Sequence, residues 1–278
     1  MILNFLGTGA AEGFPAVFCN CEYCKNARLA GESQFRTRSQ VLIDGCISID
    51  FPPEAYSHSL KFGIELSKIK YILATHSHLD HFYAHDFILR GYKYAEFDSG
   101  KLEIYGNAEV KKVFEECTAR EMKPQVVPLV GVRQIKPYQT FTVGGYKIIT
   151  LPANHSKTEE ALLFYIEKDG RGYLHLYDSG MLNADVFDFL CESGAKADAV
   201  CFDCTFADST GELSTRHMSI NENMIIKDEL LKRGVIDGKT KLIISHFSHN
   251  CNPTRAHLKL LEMRYGVVAA YDGYMVEI

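Results

Sequence analysis

The stretch Thr75-His76-Ser77-His78-Leu79-Asp80-His81 constrains this chain more than any other. Three histidines and one aspartate fall within residues 76–81. They follow an apolar run, residues 69–74, that reads as a buried strand, and they precede residues 82–94, whose apolar spacing predicts a helix. The cluster therefore belongs in a tight turn at the carboxyl end of a strand, where a rigid scaffold aims side chains at one point. Imidazole nitrogens and carboxylate oxygens suit Zn, Fe or Mn.

The rest of the chain supplies candidate partners. Five predicted strands end in or just before a metal-competent residue: His76, His155, Asp178, Asp203 and His246. With His78, Asp80 and His81 from the turn, a seven-residue set follows: His76, His78, Asp80, His81, His155, Asp178 and His246. A single site with one open position needs only three protein ligands. Seven suit two ions about 3.5–4 Å apart that share a carboxylate. Asp50 ends another short strand and is read either as a carboxylate that orients a histidine or as a helix N-cap before Pro52-Pro53.

A second cluster, Cys19-Asn20-Cys21-Glu22-Tyr23-Cys24, places three thiols where they can wrap one tetrahedral ion. The chain has nine cysteines, an odd number, and no secretory pattern is read at its start, so metal binding is favoured over a disulfide framework. A reducing, cytoplasmic setting is expected. No apolar run approaches the roughly 20 residues needed to span a bilayer. The formal net charge of −5, without a block of like charge, argues against a mainly electrostatic nucleic-acid binder. A small anionic substrate stays open, because bound ions bring their own positive charge.

The remaining pattern is mixed. Residues 2–6 predict a strand running into Gly7-Thr8-Gly9-Ala10-Ala11-Glu12-Gly13-Phe14-Pro15, which has neither a dinucleotide-binding nor a P-loop spacing. Asp44-Gly45, Gly144-Gly145 and Asp169-Gly170 predict hairpins. Strands are expected at 102–105, 126–130, 139–143, 146–151, 161–166, 172–177, 199–202, 241–245, 267–271 and 274–278. Helices are expected at 52–60, 108–122, 184–192, 220–232 and 253–264, with Ser219 and Glu222 forming a capping box. Residues 207–216 read as a polar loop. Cys46, Cys117, Cys191 and Cys201 read as core fillers, and His85, His175, His58 and His257 as bystanders. No repeat or linker appears, so one α+β or α/β unit over residues 1–278 is expected, with a small metal-binding loop at about 17–26.

Together these residues resemble the metallo-β-lactamase superfamily: the quoted 75–81 stretch, then His155, Asp178 and His246, each after a strand and in that family's order. The resemblance implies an α+β, four-layer αββα sandwich with its metal site along one rim. It also implies that His76, His78 and His155 hold a first ion, that Asp80, His81 and His246 hold a second, and that Asp178 bridges them. A narrower resemblance is to the PhnP-like phosphodiesterases, carried by Leu6 to Ala16, by Cys19-x-Cys21-x-x-Cys24 and by His246-x-x-His249. It implies a structural zinc on Cys19, Cys21, Cys24 and His249, with Cys204 and Cys251 as substitutes for the fourth ligand. His217-Met218-Ser219 resembles a Gly-His-x-Ser motif shared with tRNase Z, although Arg216 stands in place of the glycine.

The expected function is hydrolysis of small phosphodiesters, cyclic ones included, by a hydroxide held on two divalent ions (Zn or Mn, with Fe as a third choice). Asp80 and His217 are the catalytic candidates beyond metal binding, His217 as a proton donor or phosphate binder. The expected partner is a small phosphodiester, with neither nucleic acid nor membrane; a homodimer is one option for assembly. Three alternatives compete. One is a PqqB-like redox or oxygen-activating protein, disfavoured by the intact histidine cluster. Another is a tRNase Z-like nuclease, disfavoured by the lack of a basic arm. The third is a non-catalytic zinc-stabilised binding protein, disfavoured by an unbroken ligand set. A lactonase or thioesterase would use the same hydroxide on a carbonyl.

Overall fold

The structure is a computed structural model that describes residues 1–210 and 215–278. The chain first lays down β1 (Ile2–Gly7), β2 (Gln40–Ile43), β3 (Ile47–Ile49), β4 (Tyr71–Leu73), β5 (Leu102–Gly106) and β6 (Val130–Gln134). It then forms β7 (Thr140–Val143), β8 (Tyr146–Pro152), β9 (Leu162–Lys168), β10 (Arg171–Leu176), β11 (Ala199–Asp203), β12 (Lys241–Ser245) and β13 (Val268–Ala269), and returns with β14 (Tyr274–Glu277). These make two seven-stranded sheets, ordered β14-β1-β2-β3-β4-β5-β6 and β13-β12-β11-β10-β9-β8-β7.

The layers follow from strand alternation. Inward residues such as Phe5, Val41 and Ile49 of the first sheet meet Ile148, Phe164 and Tyr173 of the second in a shared core. Each such buried side chain stabilises the sandwich by ~1.5–3 kcal/mol. The opposite faces are covered by helices. α1 (Glu22–Ala30) belongs to the cysteine loop, while α2 (Ala55–Phe62) and α3 (Ala108–Thr118) lie on the first sheet. α4 (Ala184–Glu192), α5 (Ile220–Lys232) and α6 (Arg255–Tyr265) lie on the second. The result is the expected αββα sandwich. The capping box of α5 forms as read, with Ser219 and Glu222 bonding each other's backbone. Asp44 (φ 47°) and Gly45 (φ 71°) both take the left-handed conformation that a type I′ turn requires.

Strand direction positions the site. β10, β11 and β12 are mutually parallel, and β8 runs with them because β9 is antiparallel to both β8 and β10. Their carboxyl ends therefore share one rim. β3 and β4 are likewise parallel, which brings Asp50 and Thr75 to the matching rim of the first sheet. Gly180 keeps this rim tight: a Cβ there would sit 1.8 Å from the Thr215 carbonyl oxygen.

Four expectations are corrected. Residues 82–94 do not form an α-helix; only a 3-10 turn at Ala84–Leu89 appears. Phe82 pairs with Phe51 in a β-bridge, and the backbones of His81 and Tyr83 bond to Phe51, so this segment starts out extended. The strand expected at 126–130 begins where that prediction ends, at Val130, after a 3-10 turn containing Pro128, which has no N–H to give a ladder. The helix expected at 52–60 begins at Ala55. Cys191 is exposed, not a core filler. The predicted loop at 207–216 lies partly outside the described residues.

Candidate metal centre

The rim gathers the seven predicted residues into adjoining groups. His76, His78 and His155 offer nitrogens within 4.8 Å of one another, as do ligand atoms of Asp80, His81, Asp178 and His246. Within the first group, His78 Nδ1 lies 2.9 Å from His76 Nε2 and 3.2 Å from His155 Nε2. Asp178 joins the groups: its Oδ2 is 3.3 Å from His81 Nε2, 3.5 Å from His155 Nε2 and 3.9 Å from His76 Nε2. Its Oδ1 is 3.1 Å from His246 Nδ1 and 2.9 Å from His217 Nδ1. Asp80 Oδ2 stands 3.0 Å from His81 Nε2 and 3.9 Å from His246 Nε2.

These donors fit cations better than they fit one another. His81 Nε2 and His246 Nε2 are buried and lack any hydrogen bond, although carboxylate oxygens stand nearby. Buried polar atoms left unpaired cost stability, so a convergent set of them marks a site shaped for a charge. His246 (φ 64°) and Asp50 (φ 63°) hold left-handed backbone conformations at this rim, a strain that clusters at functional sites.

Surrounding groups fix the orientation of most of the ligands. Asp50 Oδ2 lies 2.6 Å from His81 Nδ1, and its Oδ1 accepts from Thr75 N and Oγ1. The structure thereby chooses histidine orientation over helix capping for Asp50; the N-cap position of α2 is Glu54, which makes no side-chain cap bond. Thr75 Oγ1 is 3.0 Å from His76 Nδ1, and Thr205 Oγ1 is 2.9 Å from His246 Nδ1. His155 Nδ1 faces the Arg216 carbonyl at 3.3 Å.

His217 sits at the edge of the cluster, its ring stacked on His246 at 5.6 Å, with Nδ1 2.9 Å from both Asp178 Oδ1 and Asp203 Oδ2. Asp203 also accepts from Thr205 N and Met218 N. Its role was missed in the sequence, although its position at a strand end was the available signal.

Electrostatics divide the residues. Burial opposes ionisation of Asp178, but the imidazoles of His246 and His217 outweigh it and hold its carboxyl well below the usual range. Burial likewise disfavours charge on His217, yet Asp178 and Asp203 push it up to about 11. His81 and His246 are raised in the same way, against burial, by Asp80 and Asp178 respectively. His76 and His155 are lowered, first by burial, and so are ready as neutral ligands.

The second cluster also assembles. Cys19, Cys21, Cys24 and His249 offer ligand atoms within 4.8 Å of one another, with His249 Nδ1 3.6 Å from Cys24 Sγ and 3.7 Å from Cys21 Sγ. Bonding from the Cys24 backbone and from His249 lowers the Cys21 thiol to about 6, whereas burial raises Cys24 to about 11. Cys204 is buried in the core under the second sheet and is not in this group. Of the bystanders, His85 is exposed, and His257 pairs with Asp208 at 2.9 Å.

Comparison with known proteins agrees with this architecture. The family model of the beta-lactamase superfamily domain matches residues 39–236. Three solved structures resemble essentially the whole chain. A diphosphatase from the PhnP family is 19% identical with a TM-score of 0.72, covering 100% of this chain and 97% of that one. Zn(2+)-bound PqqB from Methylobacterium extorquens is 18% identical with a TM-score of 0.71, covering 100% of both. The short form of human tRNase Z is 18% identical with a TM-score of 0.70, covering 100% of this chain and 99% of that one. No curated protein matches. The fold is thus the metallo-β-lactamase fold. Among the described residues, no helix is long and apolar enough to cross a membrane.

Proposed function

This chain belongs to the beta-lactamase superfamily, and from that premise we propose that it is a metal-dependent phosphodiesterase acting on small phosphodiesters. His76, His78 and His155 would hold one divalent ion, and Asp80, His81 and His246 another, with Asp178 shared. Ions held there supply Lewis acidity and lower the pKa of a water towards about 7. Cys19, Cys21, Cys24 and His249 would hold a structural zinc.

The observation that carries the reading is the placement of His217. Its Nδ1 is engaged by Asp178 and Asp203, so the proton it can give is on Nε2, and its side chain is one-fifth exposed beside the cluster. Asp203, which is not among the proposed metal ligands, lies 2.9 Å from Nδ1 and favours the protonated ring, which suits donation to an alkoxide leaving group. Asp203 fixes the ring further through its bonds to Thr205 and Met218, which anchor the carboxylate itself. Asp80 places a carboxylate oxygen between His81 and His246, where it can accept a proton from a water and orient it.

The test is metal analysis of protein purified without added metal, beside a panel of linear and cyclic phosphodiesters and a diphosphate. About three ions per chain, one resisting chelation, together with diester turnover, is the expected result. Fewer than two chelatable ions, or no diester turnover in metal-loaded protein, would overturn it. Cleavage of the diphosphate is a second reading, favoured by the likeness to the PhnP-family diphosphatase. A phosphate leaving group needs less protonation than an alkoxide, so loss of His217 would then matter little.

A further inference from the structure

His78 differs from the other predicted histidine ligands. His76, His81, His155 and His246 each have a side-chain or backbone group outside the cluster against one ring nitrogen. Among the described residues, the hydrogen-bonding and ring partners of His78 are the rings of His76 and His155 alone, and it is exposed. A ring without an orienting partner must be aimed by its backbone. The residue immediately before it, Ser77, is where that backbone is gripped.

The grip comes from Glu159. Its Oε2 accepts from Ser77 N at 3.0 Å, and its Oε1 accepts from Ser77 Oγ at 2.8 Å. Oε2 also accepts from Asn107 Nδ2 at 2.8 Å, while Asn107 Oδ1 caps α3 through Val110 N. Leu162 N donates to Thr75 O at 2.8 Å, so the histidine turn is tied to residues 159–162 at two points. The loop so anchored, between β8 and β9, is the one that carries His155. A carboxylate suits this task because its two oxygens accept from an N–H and an O–H of one residue at once.

We infer that Glu159 is a positioning residue for the three-histidine half of the centre: it clamps the turn between His76 and His78 to the loop that bears His155. The inference rests on the dinuclear reading above. Groups of this kind, outside the ligands themselves, typically alter metal affinity by about 10–100-fold when removed.

The experiment titrates metal-free protein with Zn2+ against a chromophoric chelator, for wild type, Glu159→Ala, Glu159→Gln and His78→Ala, with thermal unfolding of each. Glu159→Ala should weaken one ion of the chelatable pair by about 10–100-fold, the same ion lost in His78→Ala, and leave the other ion and the cysteine site intact. Glu159→Gln should stay within about threefold of wild type, because its amide oxygen can accept from Ser77 N and Asn107 while its NH2 donates to Ser77 Oγ. Wild-type affinity in Glu159→Ala would overturn the inference. So would equal losses in Glu159→Ala and Glu159→Gln, which would point to charge, and so would loss of every ion with a lowered Tm, which would mark a general structural role. Wild-type protein without a chelatable pair would overturn the dinuclear reading itself, and this inference with it.

Discussion

Two sets of buried histidines in this molecule meet opposite fates. At the rim, His81, His246 and His217 are pushed up in pKa, against burial, by Asp80, Asp178 and Asp203. Away from those carboxylates burial wins, as it also does at His76 and His155, which, among the described residues, only Asp178 approaches. His58, between Gln40 and Thr37, falls to about 4, and His175, packed against Tyr177 and bonded to Tyr173, falls to about 3. His81 and His246 are as deeply buried as His58 and His175, and only His217 is partly exposed; the neighbours differ. Uncompensated burial makes a histidine a neutral packing group, whereas surrounding carboxylates build a site that accepts positive charge. The rim is therefore where substitutions should act on metal and turnover, and the interior is where they should act on stability.

The largest effect should come from Asp178, which approaches five histidines. Asp178→Ala should abolish phosphodiester turnover and loosen both chelatable ions while leaving the fold. Elemental analysis and a diester assay check this, and turnover near wild type would dissolve the distinction between rim and interior. His217→Ala should come next, lowering kcat by about 10²–10⁴ on a diester with a poor leaving group. An unchanged rate there would leave the raised pKa of His217 without a catalytic meaning.

Much of this contrast was legible in the sequence, for a physical reason. A metal ligand at the end of a buried strand is preceded by an apolar run, and parallel strands deliver their carboxyl ends to one edge; hence His76, His155, Asp178 and His246 could be read as one site. The Asp-Gly and Gly-Gly dipeptides at the hairpins and the capping box of α5 were equally local signals. What escaped depends on pairing between distant segments. The Phe51–Phe82 bridge cancels a helix that spacing favoured, and the Glu159–Ser77 clamp joins residues 82 apart in sequence. His58 and His175 looked alike as bystanders, because no spacing rule reveals that one would meet Gln40 and Thr37 and the other a tyrosine ring.

The interior half of the comparison predicts a pH effect of intermediate size. His58 ionises in the unfolded chain near 6.5 but only near about 4 when folded. Between those values the unfolded state binds more protons, so stability rises with pH across this window and is lost as pH falls from 6.5 towards 4. The loss attributable to His58 is about 3 kcal/mol. His58→Gln, which can still bond Gln40 and Thr37, lacks that loss. The gap in urea unfolding free energy between variant and wild type should thus move in the variant's favour by about that amount from pH 7 to pH 4. A gap independent of pH would mean that His58 is not held neutral by burial.

The smallest predicted effect is the most exacting, because Asp50→Asn barely changes shape. Asp50 accepts from Thr75 N through Oδ1 and faces His81 Nδ1 through Oδ2. In the wild type, a carboxylate there requires a proton on Nδ1 and leaves Nε2 with a lone pair for a cation. With asparagine, keeping the acceptor on Thr75 N puts the NH2 group against His81 Nδ1, which must then accept, so the ring's proton moves to Nε2. Turning the amide over restores the bond to His81 but sets NH2 against the Thr75 N–H. Either arrangement penalises ligation, and metal affinity should fall by about 10–100-fold with little change in Tm. A competition titration reads the fall. Unchanged affinity would mean that His81 does not bind through Nε2, and that its raised pKa reflects a structural ion pair with Asp50 and Asp80, not a place in the metal centre.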